Sequence, residues 1–274
     1  MSIRLIATDL DGTLLGTDKA VSPCNAYALR KCMARGIHVM LASGRSLNAV
    51  SSIAESAGLT GALILSSNGA RLDETSHGPI LIEDGIPEDI AREAAGRLIS
   101  AGIYVECYSD DVIYMANRVK VKHHNHQPGL AADGVTLFVE DTGRFLEEGT
   151  KNTRKLIVFS DDPMVLDRAR ALMDGLPLDC SSSDTDNLEI LAAGAGKGRA
   201  LLWYADRMNI ARDEIMAFGD QANDLSLLKA AGWPVAMGNA VEAVKACARL
   251  VAPPNDCSGV AAIVEKYVLE GGLT

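Results

Sequence analysis

Short runs of apolar residues alternate with segments of helical periodicity in the first part of the chain. Strands and helices are predicted in the order Ile3–Ala7, Cys24–Arg35, Ile37–Ala42, Leu47–Ala57 and Ala62–Leu65. Strands that are apolar on both faces are typical of a parallel sheet whose two sides are covered by crossover helices. The pattern therefore predicts a βαβαβ unit and an α/β fold.

The pattern changes after residue 83. An amphipathic helix begins after Pro87, and a second helix is predicted at Pro163–Met173. Most of the other apolar runs are short and predict strands with little helix between them, at Ile103–Tyr108, Val112–Ala116, Val135–Glu140 and Leu156–Phe159. Strands that follow one another in this way indicate an α+β arrangement.

The first pattern returns from Lys197, and the domain boundary is placed before the strand Leu188–Leu191. Helices and strands then alternate at Gly198–Met208, Ile215–Phe218, Asn223–Ala231, Pro234–Met237 and Val260–Leu269. We therefore predict two domains. A Rossmann-like α/β core with a parallel sheet is formed by residues 1–83 and 188–274, and an α+β domain of residues 84–187 is inserted into it.

Composition narrows the class of protein. The chain has 274 residues, of which 48% are hydrophobic, and its six cysteines contain no C-x-x-C pair. We expect reduced thiols and a cytoplasmic protein, because the first apolar run is too short for a signal peptide or a membrane span. The formal net charge of −10 argues against partners such as nucleic acids and anionic membranes.

Two acidic residues stand at the end of the first predicted strand. Asp9 and Asp11 flank one leucine and precede Gly12, at the edge of a parallel sheet where ligand sites form. Burying ionised carboxylates is costly unless they are paired or bind metal. The alternative is a solvated acidic turn in which Gly12 supplies the bend.

Four sequence motifs, taken together, resemble those of the haloacid dehalogenase (HAD) superfamily. They are Asp9-Leu10-Asp11-Gly12-Thr13, Leu41-Ala42-Ser43-Gly44-Arg45, Gly196-Lys197-Gly198 and Gly219-Asp220-Gln221-Ala222-Asn223-Asp224, in the family's order. The runs Ser67-Asn68-Gly69-Ala70 and Met237-Gly238-Asn239-Ala240 further resemble the Cof-type branch. The resemblance implies a Rossmann-like HAD core with an inserted α+β cap domain of the C2B type.

The acidic residues have the chemistry that phosphoryl transfer needs. A carboxylate nucleophile is required, and Asp9 is the candidate. Mg²⁺ prefers hard carboxylate oxygens, for which Asp9 and Asp220 are the natural pair. The resemblance adds the backbone carbonyl of Asp11 and the side chain of Asp224 as metal ligands. Asp11 is suited to general acid–base catalysis.

Basic and small residues complete the predicted site. Lys197 would stabilise the charge that develops on the phosphoryl group, and Ser43 would donate a hydrogen bond to it. Arg45 either binds phosphate or caps the next helix, and Asn223 and Asp224 have helix N-capping as their alternative role. The candidate substrate-binding residues are Gly12, Ser43, Gly44, Arg45 and Asn223.

A histidine cluster lies outside these motifs. His123, His124 and His126 stand close together, and on a strand the last two would share a face. A metal site, a substrate-facing surface and a solvated polar segment all remain open for them. The sequence does not decide between these roles.

The leading hypothesis is a Mg²⁺-dependent phosphatase that hydrolyses a small organic phosphomonoester through a phospho-Asp9 intermediate. One alternative is a phosphosugar mutase of the same superfamily, which uses the same pair of acids. Another is a non-catalytic protein that binds a phosphate ligand. Sugar phosphates, a nucleotide-like phosphate and pyridoxal phosphate all remain possible substrates, and the sequence does not predict the oligomeric state.

Overall fold

A computed structural model describes residues 2–109, 112–116, 135–139, 141–183 and 185–271. By their internal contacts the residues divide into two compact units. The first unit is Met1–Ile82 with Gly196–Thr274, and the second is Glu83–Ala195. The chain therefore leaves the first unit once and returns to it.

The first unit is an α/β structure. Its elements before the second unit are β1 (Leu5–Asp9), α1 (Pro23–Ala34), β2 (His38–Ala42), α2 (Leu47–Ser56), β3 (Leu63–Ser66), β4 (Arg71–Asp73) and β5 (Ile80–Glu83). Strand β1 pairs in parallel with β2, and β2 pairs in parallel with β3, as the alternation of apolar runs predicts. Strand β4 turns back antiparallel to β3.

The second unit begins with a helix and continues mainly with strands. Its elements are α3 (Glu88–Ser100), β6 (Glu106–Ser109), β7 (Val112–Ala116), β8 (Val135–Val139), α4 (Thr142–Arg144), β9 (Thr153–Phe159), α5 (Pro163–Leu172), β10 (Leu178–Ser181) and β11 (Asn187–Ala192). The strands form one sheet in the order β10-β11-β9-β6-β7-β8. The pairs are antiparallel except for β7 with β8, so this unit has the α+β character that the sequence predicts.

The remaining elements complete the sheet of the first unit. They are α6 (Lys197–Arg207), β12 (Ile215–Gly219), α7 (Leu225–Ala230), β13 (Trp233–Ala236), α8 (Glu242–Cys247), β14 (Leu250–Val251) and α9 (Gly259–Val264). The strand order is β14-β13-β12-β1-β2-β3-β4-β5. Strands β1 and β12 lie at the centre of this sheet, and all five residues of each are buried.

The strand Leu188–Leu191 lies in the second unit, whereas the sequence boundary placed it in the first. It is the core of β11, which pairs antiparallel with β9 on one side and with β10 on the other. Its apolar residues match a parallel-sheet strand equally well, because Leu188 and Ile190 are buried on one face and Glu189 and Leu191 on the other. Periodicity therefore did not reveal which sheet takes the strand.

Among the described residues, no helix is both long and apolar enough to cross a membrane.

Candidate active site

The carboxyl ends of two neighbouring strands bring the acidic residues of the first and fourth motifs together. Strand β1 pairs in parallel with β12, with Thr8 opposite Phe218. Asp9 ends β1 and Asp220 directly follows β12, so both carboxylates emerge at the same edge of the sheet. Both residues are buried.

Glycine is required at the turn that follows Asp9. Gly12 has a φ of +75°, a left-handed conformation that other residues adopt at a cost. A Cβ atom at this position would lie 2.3 Å from Asp220 Oδ2. The absent side chain therefore leaves room for the Asp220 carboxylate, which accepts a hydrogen bond from Thr13 Oγ1 at 2.7 Å.

Lys197 joins two of the acids. Its Nζ donates to Asp9 Oδ1 at 2.6 Å and to Asp224 Oδ1 at 2.7 Å, and its side chain is 1% exposed. The lysine begins α6, and Gly198 in the first turn of this helix allows it to pack closely against Ser226. A Cβ on Gly198 would lie 2.2 Å from the backbone oxygen of Ser226. Close packing of α6 thus carries the ammonium group into the site.

Asp224 faces the site and does not cap the helix that follows. Its Oδ2 accepts the backbone N–H groups of Asp220 at 3.0 Å and Gln221 at 3.2 Å. No side-chain capping bond is present at the start of α7. Asn223 lies in the same short turn, partly buried, and its side chain forms no hydrogen bond to the described residues.

Three carboxylates in this cluster are close enough to share one cation. Ligand oxygens of Asp9, Asp220 and Asp224 all lie within 4.8 Å of one another. Burial and the neighbouring charge of Asp224 raise the pKa of Asp9 well above its usual value, and burial raises the pKa of Asp220 to about 6. Lys197 balances only one of these negative charges. Burial alone would lower the pKa of Lys197, but the charges of Asp224 and Asp9 outweigh this effect and raise it, so the lysine stays protonated.

This donor set fits a divalent cation. The oxygens are hard ligands and they are buried, and burial raises the pKa values of Asp9 and Asp220. A bound cation with two charges would supply what Lys197 alone does not. The cluster therefore has the composition and the electrostatic deficit of a metal site.

Asp11 lies apart from this group of three. Arg45 holds its carboxylate with a two-point contact, Nε to Oδ2 at 2.7 Å and Nη2 to Oδ1 at 2.8 Å. Lys19 Nζ adds a third bond to Oδ1 at 3.0 Å. Burial alone would raise the pKa of Asp11, but the hydrogen bonds and charge of Arg45, with Lys19, lower it to about 2.

One of the two alternatives for Arg45, helix capping, is not observed. The N-cap of α2 is Ser46, whose side chain accepts the N–H of Ala49, so Arg45 does not cap this helix. Ser43 is buried beside it, and its hydroxyl accepts the N–H of Arg45 at 3.2 Å. Gly44 links the two residues at the carboxyl end of β2.

Three residues of the site were not singled out from the sequence as functional. Thr13 bonds Asp220, Lys19 bonds Asp11, and Asn239 Nδ2 donates to the Gly12 carbonyl at 2.8 Å. Thr13 and Asn239 belong to sequence motifs that resemble those of the family, so their position in these motifs could have identified them as site residues. Lys19 stands in a polar loop, where nothing distinguishes it from a solvated lysine.

The histidine cluster of His123, His124 and His126 lies outside the described residues. Its role stays a prediction.

Comparison with known proteins gives one family. The profile of the haloacid dehalogenase-like hydrolases matches residues 6–264. Similar curated proteins are the Bacillus subtilis (strain 168) 5-amino-6-(5-phospho-D-ribitylamino)uracil phosphatase YwtE, 30% identical over 97% of this chain and 98% of that protein, and the Escherichia coli (strain K12) pyridoxal phosphate phosphatase YbhA, 28% identical over 98% and 100%.

Solved structures agree with the sequence comparison. A haloacid dehalogenase-like hydrolase from B. subtilis superposes with a TM-score of 0.86 at 29% identity, covering 97% of this chain and 100% of that one. A haloacid dehalogenase-like hydrolase from Bacteroides thetaiotaomicron gives a TM-score of 0.83 at 27% identity, covering 97% and 99%. The similarity thus extends over both units.

Proposed function

The chain belongs to the haloacid dehalogenase-like hydrolase family, and we propose that it is a phosphatase that hydrolyses a small organic phosphomonoester with Mg²⁺ as cofactor. The observation that carries the proposal is the buried cluster of Asp9, Asp220 and Asp224 around Lys197. A carboxylate suited to nucleophilic attack, two further carboxylates that could bind a metal ion and a buried ammonium group lie together there. The phosphatases similar to this chain support the same reaction class.

Asp9, Asp220 and Asp224 would hold the cation. When bound, Mg²⁺ supplies positive charge that offsets the repulsion between these carboxylates and the anionic phosphate. One carboxylate oxygen of Asp9 accepts a hydrogen bond from Lys197, which holds the side chain in place. We assign nucleophilic attack to the Asp9 carboxylate.

In the first step an Asp9 oxygen attacks phosphorus, and the bond from phosphorus to the ester oxygen breaks. The leaving alkoxide takes a proton from Asp11, which gives the free alcohol and phospho-Asp9. In the second step water attacks phosphorus, the bond to Asp9 breaks, and Asp11 accepts the proton of the water. Inorganic phosphate leaves, and both carboxylates return to their first state.

Asp11 has to carry a proton in the first step, although Arg45 favours its charged form without substrate. The phosphate is itself an anion, and it competes with Asp11 for the guanidinium group. Transfer of Arg45 to phosphate would release Asp11 and restore its basicity. Arg45 thus serves as a substrate-binding residue, together with Ser43, Gly44, Gly12 and Asn223.

For the substrate we propose a small phosphorylated metabolite. The proteins similar to this chain are named for a ribitylamino-uracil phosphate and for pyridoxal phosphate, both of which are phosphomonoesters of primary alcohols. Similar proteins carry the names of phosphatases, so a mutase is not favoured.

The test is release of inorganic phosphate from a panel that contains these two compounds and several hexose phosphates. We expect turnover with Mg²⁺, none with EDTA, and a loss of at least about a thousandfold in Asp9→Asn. Asp18→Asn is the matched control, because Asp18 is an exposed aspartate of a nearby loop. Within the described part of the chain its side chain bonds only the backbone N–H of Ala20 in the same loop. Undiminished turnover in folded Asp9→Asn would remove Asp9 as the nucleophile.

A further inference from the structure

Asparagine side chains from separate parts of the first unit hold the backbone of the turn that follows Asp9. Each donates an Nδ2–H to a carbonyl group of this turn. The bonds join Asn239 to Gly12 (2.8 Å), Asn255 to Leu15 (2.9 Å) and Asn25 to Leu14 (3.1 Å). The turn contains two residues with non-helical backbone angles, so it depends on such outside partners to satisfy its carbonyl groups.

Asn239 stands in a loop that is also tied to Asp220. The loop follows β13, and its two ends bond the backbone next to the acid: Met237 N–H donates to Gly219 O at 3.1 Å, and Val241 N–H donates to Asp220 O at 3.0 Å. Asn239 therefore connects the turn after Asp9 with the backbone that carries Asp220. The Oδ1 of Asn239 accepts the N–H of Asn255 at 3.0 Å, which fixes the orientation of its amide.

The bond to Gly12 sets the direction of one peptide group. In a trans peptide the C=O and the following N–H point in opposite directions, so a Gly12 carbonyl held by Asn239 directs the Thr13 N–H away from Asn239. The residue that carries this N–H is also anchored through its side chain, because Thr13 Oγ1 donates to Asp220 Oδ1 at 2.7 Å. Between them, Asn239 and Asp220 leave the Gly12–Thr13 peptide little freedom to rotate.

We propose that Asn239 is a positioning residue of the active site. By holding the Gly12 carbonyl it orients the Thr13 N–H for phosphate, and it sets the spacing between the turn after Asp9 and the loop of Asp220. The inference rests on the proposed function for its first part, whereas its second part concerns the metal site alone.

The exposure of Asn239 makes the inference testable without loss of the fold. Its side chain lies at the surface and contributes little to the core, so Asn239→Ala removes two hydrogen bonds and leaves the packing in place. Asn209→Ala is the matched control. Asn209 is also exposed, lies before β12 at the opposite end of that strand, and has a φ of +50° that alanine adopts with strain.

The first measurement is steady-state kinetics on the best phosphomonoester of the panel. We expect kcat of Asn239→Ala to fall about tenfold and KM to change by less than about threefold, because an oriented N–H is most effective on the charge of the transition state. Asn209→Ala should lose stability in thermal unfolding but keep its kcat. A kcat for Asn239→Ala within about twofold of the parent protein, or an equal loss in both variants, overturns the inference.

The second measurement is calorimetric titration of the metal-free protein with Mg²⁺, which needs no turnover. We expect Asn239→Ala to bind Mg²⁺ about three- to tenfold more weakly, because the spacing of the two ligand loops is no longer fixed. An unchanged dissociation constant overturns the inference whatever the kinetics show. If the parent protein hydrolyses no phosphomonoester, the proposed function fails, and the titration alone decides on Asn239.

Discussion

Replacing Lys197 by methionine tests the electrostatic account of the site most directly. The lysine is 1% exposed and bonds Asp9 and Asp224. At an effective dielectric constant of 20, each ion pair with its charges about 4 Å apart contributes about 4 kcal/mol of attraction, before desolvation is subtracted. Removing one partner from a buried ion pair typically costs about 3 to 5 kcal/mol. We expect the free energy of unfolding in EDTA to fall by about 3 kcal/mol at pH 8.

The loss should depend on pH in a defined direction. Without the ammonium group the pKa of Asp9, already raised by burial and Asp224, rises further. A carboxyl whose folded-state pKa is raised stabilises the fold below its unfolded pKa, and this contribution disappears as the pH rises to the folded value. Each bound proton changes stability by about 1.4 kcal/mol per pH unit. The deficit of Lys197→Met should therefore shrink to about 1 kcal/mol at pH 5.

The assay is urea denaturation, followed by far-ultraviolet circular dichroism, at several pH values between 5 and 8. Lys229→Met serves as control, because Lys229 is an exposed lysine on α7 and its replacement should change stability by less than about 0.5 kcal/mol. Mg²⁺ should restore more stability to Lys197→Met than to the parent protein, since it replaces the missing charge. A deficit below about 1 kcal/mol at pH 8, or one that is independent of pH, would refute this reasoning.

Three further outcomes follow from the same structure. Gly12→Ala places an alanine in a left-handed conformation, with its Cβ 2.3 Å from Asp220 Oδ2. We expect the free energy of unfolding in urea to fall by at least about 1 kcal/mol and Mg²⁺ binding, measured by calorimetry, to weaken about tenfold. Unchanged Mg²⁺ binding would contradict this. Since the pKa of Asp220 is about 6 without metal and that of Asp9 is also raised, apparent Mg²⁺ affinity should increase as the pH rises from 5 through about 6, with proton release on binding. Calorimetry in two buffers of different ionisation enthalpy measures this release, and equal heats in both buffers at pH 5 would argue against it. In the second unit Lys155 and Glu189 form a buried ion pair at 3.1 Å, so Lys155→Met should destabilise the fold by about 3 kcal/mol, whereas the exposed Lys151→Met should not; thermal unfolding compares the two.

The sequence predicted the acidic site because its residues lie next to strands that a parallel sheet places side by side. Asp9 and Asp220 each follow an apolar run after one intervening residue, and the rule that carboxyl ends of parallel strands share one edge brings them together. Lys197 begins a helix, and its approach depends on Gly198 and the packing of α6. The motif resemblance placed Lys197 in the site as a cation for the phosphoryl group, whereas its bonds to Asp9 and Asp224 were not predicted.

The state of Asp11 could not be obtained in the same way. Its pKa depends on the guanidinium of Arg45, which comes from the loop after β2, and on Lys19 in a turn of left-handed backbone. Such contacts join loops, whose conformations leave little trace in hydrophobic periodicity. The general-acid role therefore remains a prediction from residue type, and the structure adds that Arg45 holds the carboxylate of Asp11.

The two ends of the site carry opposite charge, and this resolves how an acidic protein would accept an anionic substrate. Asp9, Asp220 and Asp224 outnumber Lys197 in the buried part, whereas Arg45 and Lys19 outnumber Asp11 at the more exposed part. A phosphate therefore meets cations first, and it enters the acidic part only where a metal ion has offset the excess of carboxylates. The four aspartates and three basic residues of the site sum to about −1 of the formal net charge of −10, so the local arrangement and not the total charge decides the outcome. Metal removal should therefore abolish turnover while Arg45 and Lys19 stay in place.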